Sequence, residues 1–188
     1  MLPDAALQWR LISLLLQTPQ RAALVRLVAR LALPDAWVAA GALRNLVWDH
    51  LHQRPASAVN DIDVLYFDAT DHEGALGRAA EQWLQEQAPQ WRWQVKNQAL
   101  MHKRHGHAPY RNSGDAMRFW PECETAIAVR YLPTQSAWQV MAPFGLRSLF
   151  AGQITANPCR PPQLFQQRLT TKQWLTLWPE LSVMDIQA

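Results

Sequence analysis

The sequence predicts an α/β (α+β) fold, a mixed β-sheet core with flanking and terminal helices. Three observations carry that expectation. An apolar strand at 36–40 runs into Gly41 and a helix, and the alternating stretch DIDVLYFD follows as a second strand. Two further strand patterns, 124–132 and 136–142, are separated only by Pro133-Thr134-Gln135, which suggests a hairpin. Helical patterns occupy both ends of the chain.

Taken in order, residues 4–16 and 19–31 read as amphipathic helices, with Asp4 and Thr18 as caps and Pro19 and Pro34 as punctuation. The strand at 36–40 leads to a helix over 42–53 that ends near Arg54-Pro55. A strand over 62–67 precedes a helix over 73–87, marked by Asp71 at its start and Pro89 at its end. Trp91 to Gln98 alternates as a strand, and the polar run MHKRHGHAPYRNSG reads as a loop. A short helix is expected over 114–119, then the hairpin, then helices at 146–151 and 162–175. One domain over 1–188 is expected, with a core at about 34–142 and helical additions at 1–33 and 143–188.

With 188 residues, 49% hydrophobic and 18% charged, the chain can bury a sizeable core and is not disordered. Ten tryptophans are many for this length. Most are expected to pack, because indole buries a large area. Trp48 and Trp120 lie near the motifs and are the two that could stack on a base. The 18 basic residues include only three lysines, Lys96, Lys103 and Lys172, and the rest are arginines. Arginine grips phosphate bidentately, but a net charge of +3 without a dense basic run does not demand nucleic acid. Cys123 and Cys159 have no metal-ligand spacing and imply no disulfide framework. The N-terminus starts with an acid and is broken by Arg10, unlike a signal peptide, and no apolar run approaches the ~18 residues of a membrane span. A cytoplasmic bacterial protein with no membrane partner is expected.

The strongest chemical signal is Asp61 and Asp63, spaced i, i+2 at the start of a strand and so on one face. Two adjacent acids repel unless a cation lies between them, and divalent magnesium carrying a triphosphate is the common reason for such a pair. The glycine turn opening the preceding helix supplies backbone N–H groups suited to phosphate. Arg44, one turn into that helix, could bind triphosphate oxygens or pair with Asp61. A third carboxylate is expected from a strand beside the acid pair, and WPECETAIAVR offers Glu122 and Glu124. Strand logic favours Glu124, which leads directly into the apolar segment. His102, His105 and His107 lack a completing cysteine or acid and sit among Lys103, Arg104 and Arg111, so zinc is not expected. The basic cluster could receive a phosphate-bearing acceptor. Cys123 lies between acids that disfavour its thiolate, and no serine-hydrolase elbow, Rossmann fingerprint or P-loop is present.

Strand, glycine turn, helix and D-x-D resemble the DNA polymerase beta-type nucleotidyltransferase superfamily. Ala40-Gly41-Ala42-Leu43-Arg44-Asn45 is similar to the G-G-x-V-R-D segment of the CCA-adding and poly(A) polymerase head domain. A small bacterial nucleotidyltransferase-like family, formerly of unknown function, matches further through GALRN, NDIDVLYFD, NQALMH, WPECETAIAVR, APFGLRSLF and a terminal K-x-W…WP. The resemblance implies a metal-dependent nucleotidyltransferase that moves a nucleoside monophosphate from a nucleoside triphosphate to an unidentified hydroxyl on a small molecule, RNA or protein. It implies Mg2+ (or Mn2+) at Asp61, Asp63 and Glu122 or Glu124, and it favours Glu122 as the catalytic acid. Gly41, Ala42, Arg44 and Asn45 would hold the nucleotide, and Asn97 and His102 would reach substrate. The alternative is a non-catalytic nucleotide- or RNA-binding module that retains the fold. Ala40 stands where the family has a first glycine and Asn45 where it has an acid. Residues 43–60 make a long connection that a loop at Pro55-Ala56-Ser57 would absorb.

Overall fold

The computed structural model describes residues 3–59 and 61–184. Its centre is a five-stranded mixed sheet built from β1 (Trp37–Ala39), β2 (Ile62–Tyr66), β3 (Trp93–Asn97), β4 (Ala128–Leu132) and β5 (Ala137–Met141). The strand order is β3-β2-β1-β4-β5, and only the β2–β3 pair is parallel. The parallel pair is joined through a helix, α4 (Ala75–Gln87), as such a crossover requires. The expected hairpin is β4–β5, turned by a 3-10 segment at Pro133–Gln135.

Strand alternation gives the sheet two unlike faces. Val38, Ile62, Val64 and Val129 face the main core, packed with α1 (Asp4–Leu16), α2 (Pro19–Ala29) and α3 (Gly41–Leu51). Trp37, Ala39, Leu65 and Ala128 form a smaller cluster on the other face with Met117 of α6 (Ser113–Met117). Asp63 belongs to this second face, and its neighbours in register are Gln94 on β3 and Ala39 on β1.

The polar run after β3 is a helix rather than a loop: α5 spans Gln98–His105. Asn97 caps it by accepting from the Ala99 N–H at 3.1 Å, and Gly106 ends it in the left-handed region. Its four consecutive basic residues hide the apolar period that would have announced a helix. The strand expected from 124 starts only at Ala128, because Cys123–Thr125 makes a 3-10 turn that buries Glu124. The helix expected from 73 begins at Ala75, where Asp71 accepts from the Ala75 N–H at 2.8 Å.

After β5 come α7 (Arg147–Phe150), β6 (Gln153–Thr155), α8 (Pro162–Lys172), α9 (Trp174–Leu177) and β7 (Ser182–Met184). The parallel pair β6–β7 is too short for a sequence signal. The expected last helix is two, divided at Gln173, whose φ is 51°. The long connection after α3 is pinned by a buried acid. Asp49 accepts from the Ser57 N–H at 2.7 Å, the Ser57 hydroxyl at 2.8 Å, Arg54 Nε at 2.9 Å and Trp178 Nε1 at 2.9 Å. Arg21 adds a donor to the Ser57 carbonyl at 2.6 Å. The proline-bearing loop is thereby fixed just ahead of the acid pair.

Candidate functional site

Helix α3 begins at a sharp turn. Ala40 holds φ 57° and ψ −129°, a conformation that L residues rarely adopt, and its N–H donates to the Ile127 carbonyl at 3.0 Å. Such a backbone costs about 1–3 kcal/mol. Ala40→Gly should therefore raise stability by roughly 1 kcal/mol after the extra chain entropy of glycine is counted. A shifted urea midpoint would report it, and an unchanged or lower midpoint would show that the turn is unstrained. The next position, Gly41, has no such strain: a Cβ there would meet Arg44 Nη2 only at 3.9 Å.

Asp61 and Asp63 open together into a cleft of about 480 Å3 that the start of α3 enters. Asp61 Oδ2 accepts from Gln94 Nε2 at 2.8 Å, and Gln94 in turn accepts from Lys96 Nζ at 3.0 Å. Burial, and then the Asp61 charge, push the Asp63 carboxyl up to about 6, against the pull of Lys96, Lys172 and Arg44. Two hard oxygen donors on one face, one of them raised by burial and then by its neighbour's charge, fit a divalent cation of the magnesium class. Among the described residues no group of three acids, histidines or cysteines could hold a metal. In the sheet, Ala39 and then Ala128 occupy the positions beside Asp63, so neither β1 nor β4 offers an acid there.

Glu122 and Glu124 have protein partners instead. Neither lies on a strand beside β2, from which β4 is separated by β1. Glu122 is buried and makes a bidentate pair with Arg168 of α8, with Nη2 to Oε2 at 3.1 Å. Glu124 is also buried and accepts from the Thr155 N–H at 2.7 Å, and burial pushes its carboxyl up. Cys123 between them is raised to about 12, by burial first and by the two acids next. Both causes disfavour the thiolate that a cysteine nucleophile needs.

Arg44 is 6% exposed and clamped. Its Nη1 donates to Thr125 Oγ1 at 2.6 Å and its Nη2 to Asn45 Oδ1 at 2.9 Å. Its guanidinium carbon lies 4.6 Å from the ring centres of both Trp48 and Trp174. Burial lowers it to about 10, with Glu122 supporting the charge and Arg168 opposing it. Arg44 thus lends the cleft a fixed positive charge, whereas Arg168 and Lys172, four residues apart on α8, line the cleft from the far end of the chain. Arg104 of α5 adds a further cation, and His105 lines the cleft beside it with its imidazole pushed down by burial and then by the Arg160 charge.

The other expected site residues divide clearly. Gly41, Ala40 and Asn45 line the cleft, while Ala42 is buried at the start of α3. Asn97 commits its whole amide to the protein: Oδ1 accepts from the Asp68 and Ala99 N–H groups, and Nδ2 donates to the Asp68 and Asp71 carbonyls. That exhausts its hydrogen-bonding capacity. His102 Nδ1 lies 2.8 Å from the Ala99 carbonyl within α5, and His102 packs against Tyr110 rather than lining the cleft. Trp48 is fully buried between Trp174 and Trp178 and cannot stack on a base, whereas Trp120 lines the cleft. Sequence reasoning missed Arg168 and Lys172. Lys172 opens the K-x-W run and Arg168 stands four residues before it, which was the available signal.

A family model described as Nucleotidyltransferase matches residues 26–183. A solution structure described as revealing a CCA-adding enzyme head domain is similar over 93% of this chain and 94% of its own, with TM-score 0.81 and 31% identity. A CCA-adding enzyme in its apo form and one in complex with CTP share the fold at TM-score 0.61, with 14% and 13% identity. The chain spans only 42% and 43% of those two proteins. No curated protein matches the chain.

Proposed function

The chain belongs to the nucleotidyltransferase family, and from that premise we propose that it transfers a nucleoside monophosphate from a nucleoside triphosphate to a hydroxyl acceptor, with Mg2+ or Mn2+. The observation that carries this reading is the shared opening of Asp61 and Asp63 into the cleft that the N-terminus of α3 enters. In this reading Asp61 and Asp63 hold the cation, which when bound neutralises triphosphate charge. The backbone at Gly41 and Ala42 faces the phosphates with the positive end of α3, and Arg168 and Lys172 bind their outer oxygens. Arg44 and Asn45 fix the floor. The acceptor oxygen bonds to the α-phosphorus as the bond to pyrophosphate breaks, and the hydroxyl proton leaves to water.

Glu122 acts here by setting the Arg168 fork, and Glu124 by anchoring β6. Glu122→Gln should then raise the KM for triphosphate by about tenfold and leave kcat nearly unchanged, since binding is lost equally from ground and transition states. A kcat loss of several orders with KM intact would return Glu122 to the metal. A second reading, a binding module without turnover, draws on the lack of a third acid near the pair among the described residues. Pyrophosphate release from radiolabelled triphosphates with cell extract as acceptor source separates the two. Magnesium-dependent release lost in Asp63→Ala supports the enzyme, and magnesium-dependent binding without release supports the module.

A further inference from the structure

Next to the cationic cleft lies a smaller slot of about 150 Å3 that shares Asp63, His105 and Trp120 with it. The two differ in chemistry. The cleft carries Arg44, Arg104, Arg168 and Lys172, whereas the slot is walled by Leu65, Met101, Tyr110 and Phe119, with Lys96 as its cation. Tyr110 and Phe119 stack with ring centres 5.3 Å apart, so the wall is a rigid aromatic surface. The cleft takes in Asp61 and Asp63, and the slot takes in Asp63 and Leu65. Asp61 just ahead of β2 and Asp63 and Leu65 within it alternate onto one face, so the cleft lies toward Asp61 and the slot toward Leu65.

Resting on the nucleotidyl-transfer reading, we propose that this slot is the acceptor subsite and takes a small molecule whose aromatic or apolar body carries the attacking hydroxyl. In phosphoryl transfer the attacking and leaving oxygens lie roughly in line across phosphorus. A triphosphate whose outer phosphates lie among the cations of the cleft leaves toward that side, so the attacking oxygen enters from the other side of Asp63, where the slot opens. The acceptor oxygen forms its bond to the α-phosphorus, pyrophosphate departs with the bonding pair, and the hydroxyl proton passes to water. The volume admits one ring, not a polymer, and aromatic walls select for an apolar ring.

Benzyl alcohol is the probe, with glycerol as the polar control, followed by the NMR signals of Met101 and the Trp120 indole. Titrations are run alone and with magnesium and a triphosphate analogue whose bridge to the α-phosphorus cannot be cleaved. The expected result is benzyl alcohol binding that persists beside the analogue, with glycerol producing no shift at the slot. Ala116→Leu, which narrows the slot, and Met101→Phe as a second variant should each weaken benzyl alcohol by about tenfold or more while the analogue binds as before. Analogue binding that expels benzyl alcohol would give the slot to the nucleobase and overturn the assignment alone. Benzyl alcohol that fails to bind, binds no better than glycerol, or is unaffected by both variants overturns it too. An analogue that does not bind at all sinks the nucleotidyl-transfer reading and the assignment with it.

Discussion

Asp63→Asn is expected to abolish magnesium-dependent triphosphate turnover and, in the same protein, to raise the stability of the metal-free fold at neutral pH. The first effect follows from removing one of two carboxylates that hold the cation, and should exceed about a thousandfold. The second follows from the Asp63 carboxyl being raised to about 6 by burial and by Asp61. An ordinary aspartate titrates near 3.9. Between about pH 4 and 6 the folded chain keeps a proton that the unfolded chain releases, so the stability associated with Asp63 falls as pH rises through that window. Above it the charged form costs the fold on the order of 3 kcal/mol. Asparagine has no charge to bury, so the variant should melt several degrees higher at pH 7.5 and match the wild type near pH 4. Magnesium should stabilise the wild type and not the variant. Thermal melts across pH, with and without magnesium, read all of this. A variant less stable than the wild type at pH 7.5 would mean that Asp63 is paired rather than strained.

The largest stability loss is expected at Asp49, which does not itself line the cleft. This carboxylate is 1% exposed and accepts from Ser57 twice, from Arg54 and from Trp178. Asp49→Ala leaves the buried Trp178 indole N–H without an acceptor and removes the partner of the half-buried Ser57 and Arg54, which should cost about 2–4 kcal/mol. That is a large share of the ~5–15 kcal/mol that holds a domain together. It would also release the loop that delivers Asp61 to the cleft, so residual folded protein should bind triphosphate weakly. Asp49→Asn keeps part of the network and should lose less. Urea denaturation gives the number, and a loss below about 1 kcal/mol would show that the loop is held by something else.

What could be read from the sequence was whatever local periodicity encodes. Alternation in DIDVLYFD placed β2 and put Asp61 and Asp63 on one face, because the period of a strand is fixed by its backbone. The strand-to-glycine transition located α3 for a similar reason. The α5 helix was hidden because its stability comes from a cap at Asn97 and packing through Gln98 and Ala99, not from an apolar stripe. Glu122 and Glu124 were expected beside the pair on a neighbouring strand, but a 3-10 turn and Arg168 decide where they point. Arg168 and Lys172 follow Asp63 by more than 100 residues, and only the tertiary fold returns α8 to the cleft. Trp48 shows the converse: proximity to a motif in sequence put it in the core, between Trp174 and Trp178.

The central claim is that Asp61 and Asp63 hold a divalent cation with a nucleoside triphosphate in the cleft at the start of α3. Anomalous diffraction from crystals grown with Mn2+ and a triphosphate analogue that cannot transfer tests it most directly. The expected map has manganese bound by both Asp61 and Asp63, with the phosphates running toward Gly41, Arg168 and Lys172. Analogue density in the cleft with no manganese at the two aspartates, or manganese bound elsewhere, would contradict it.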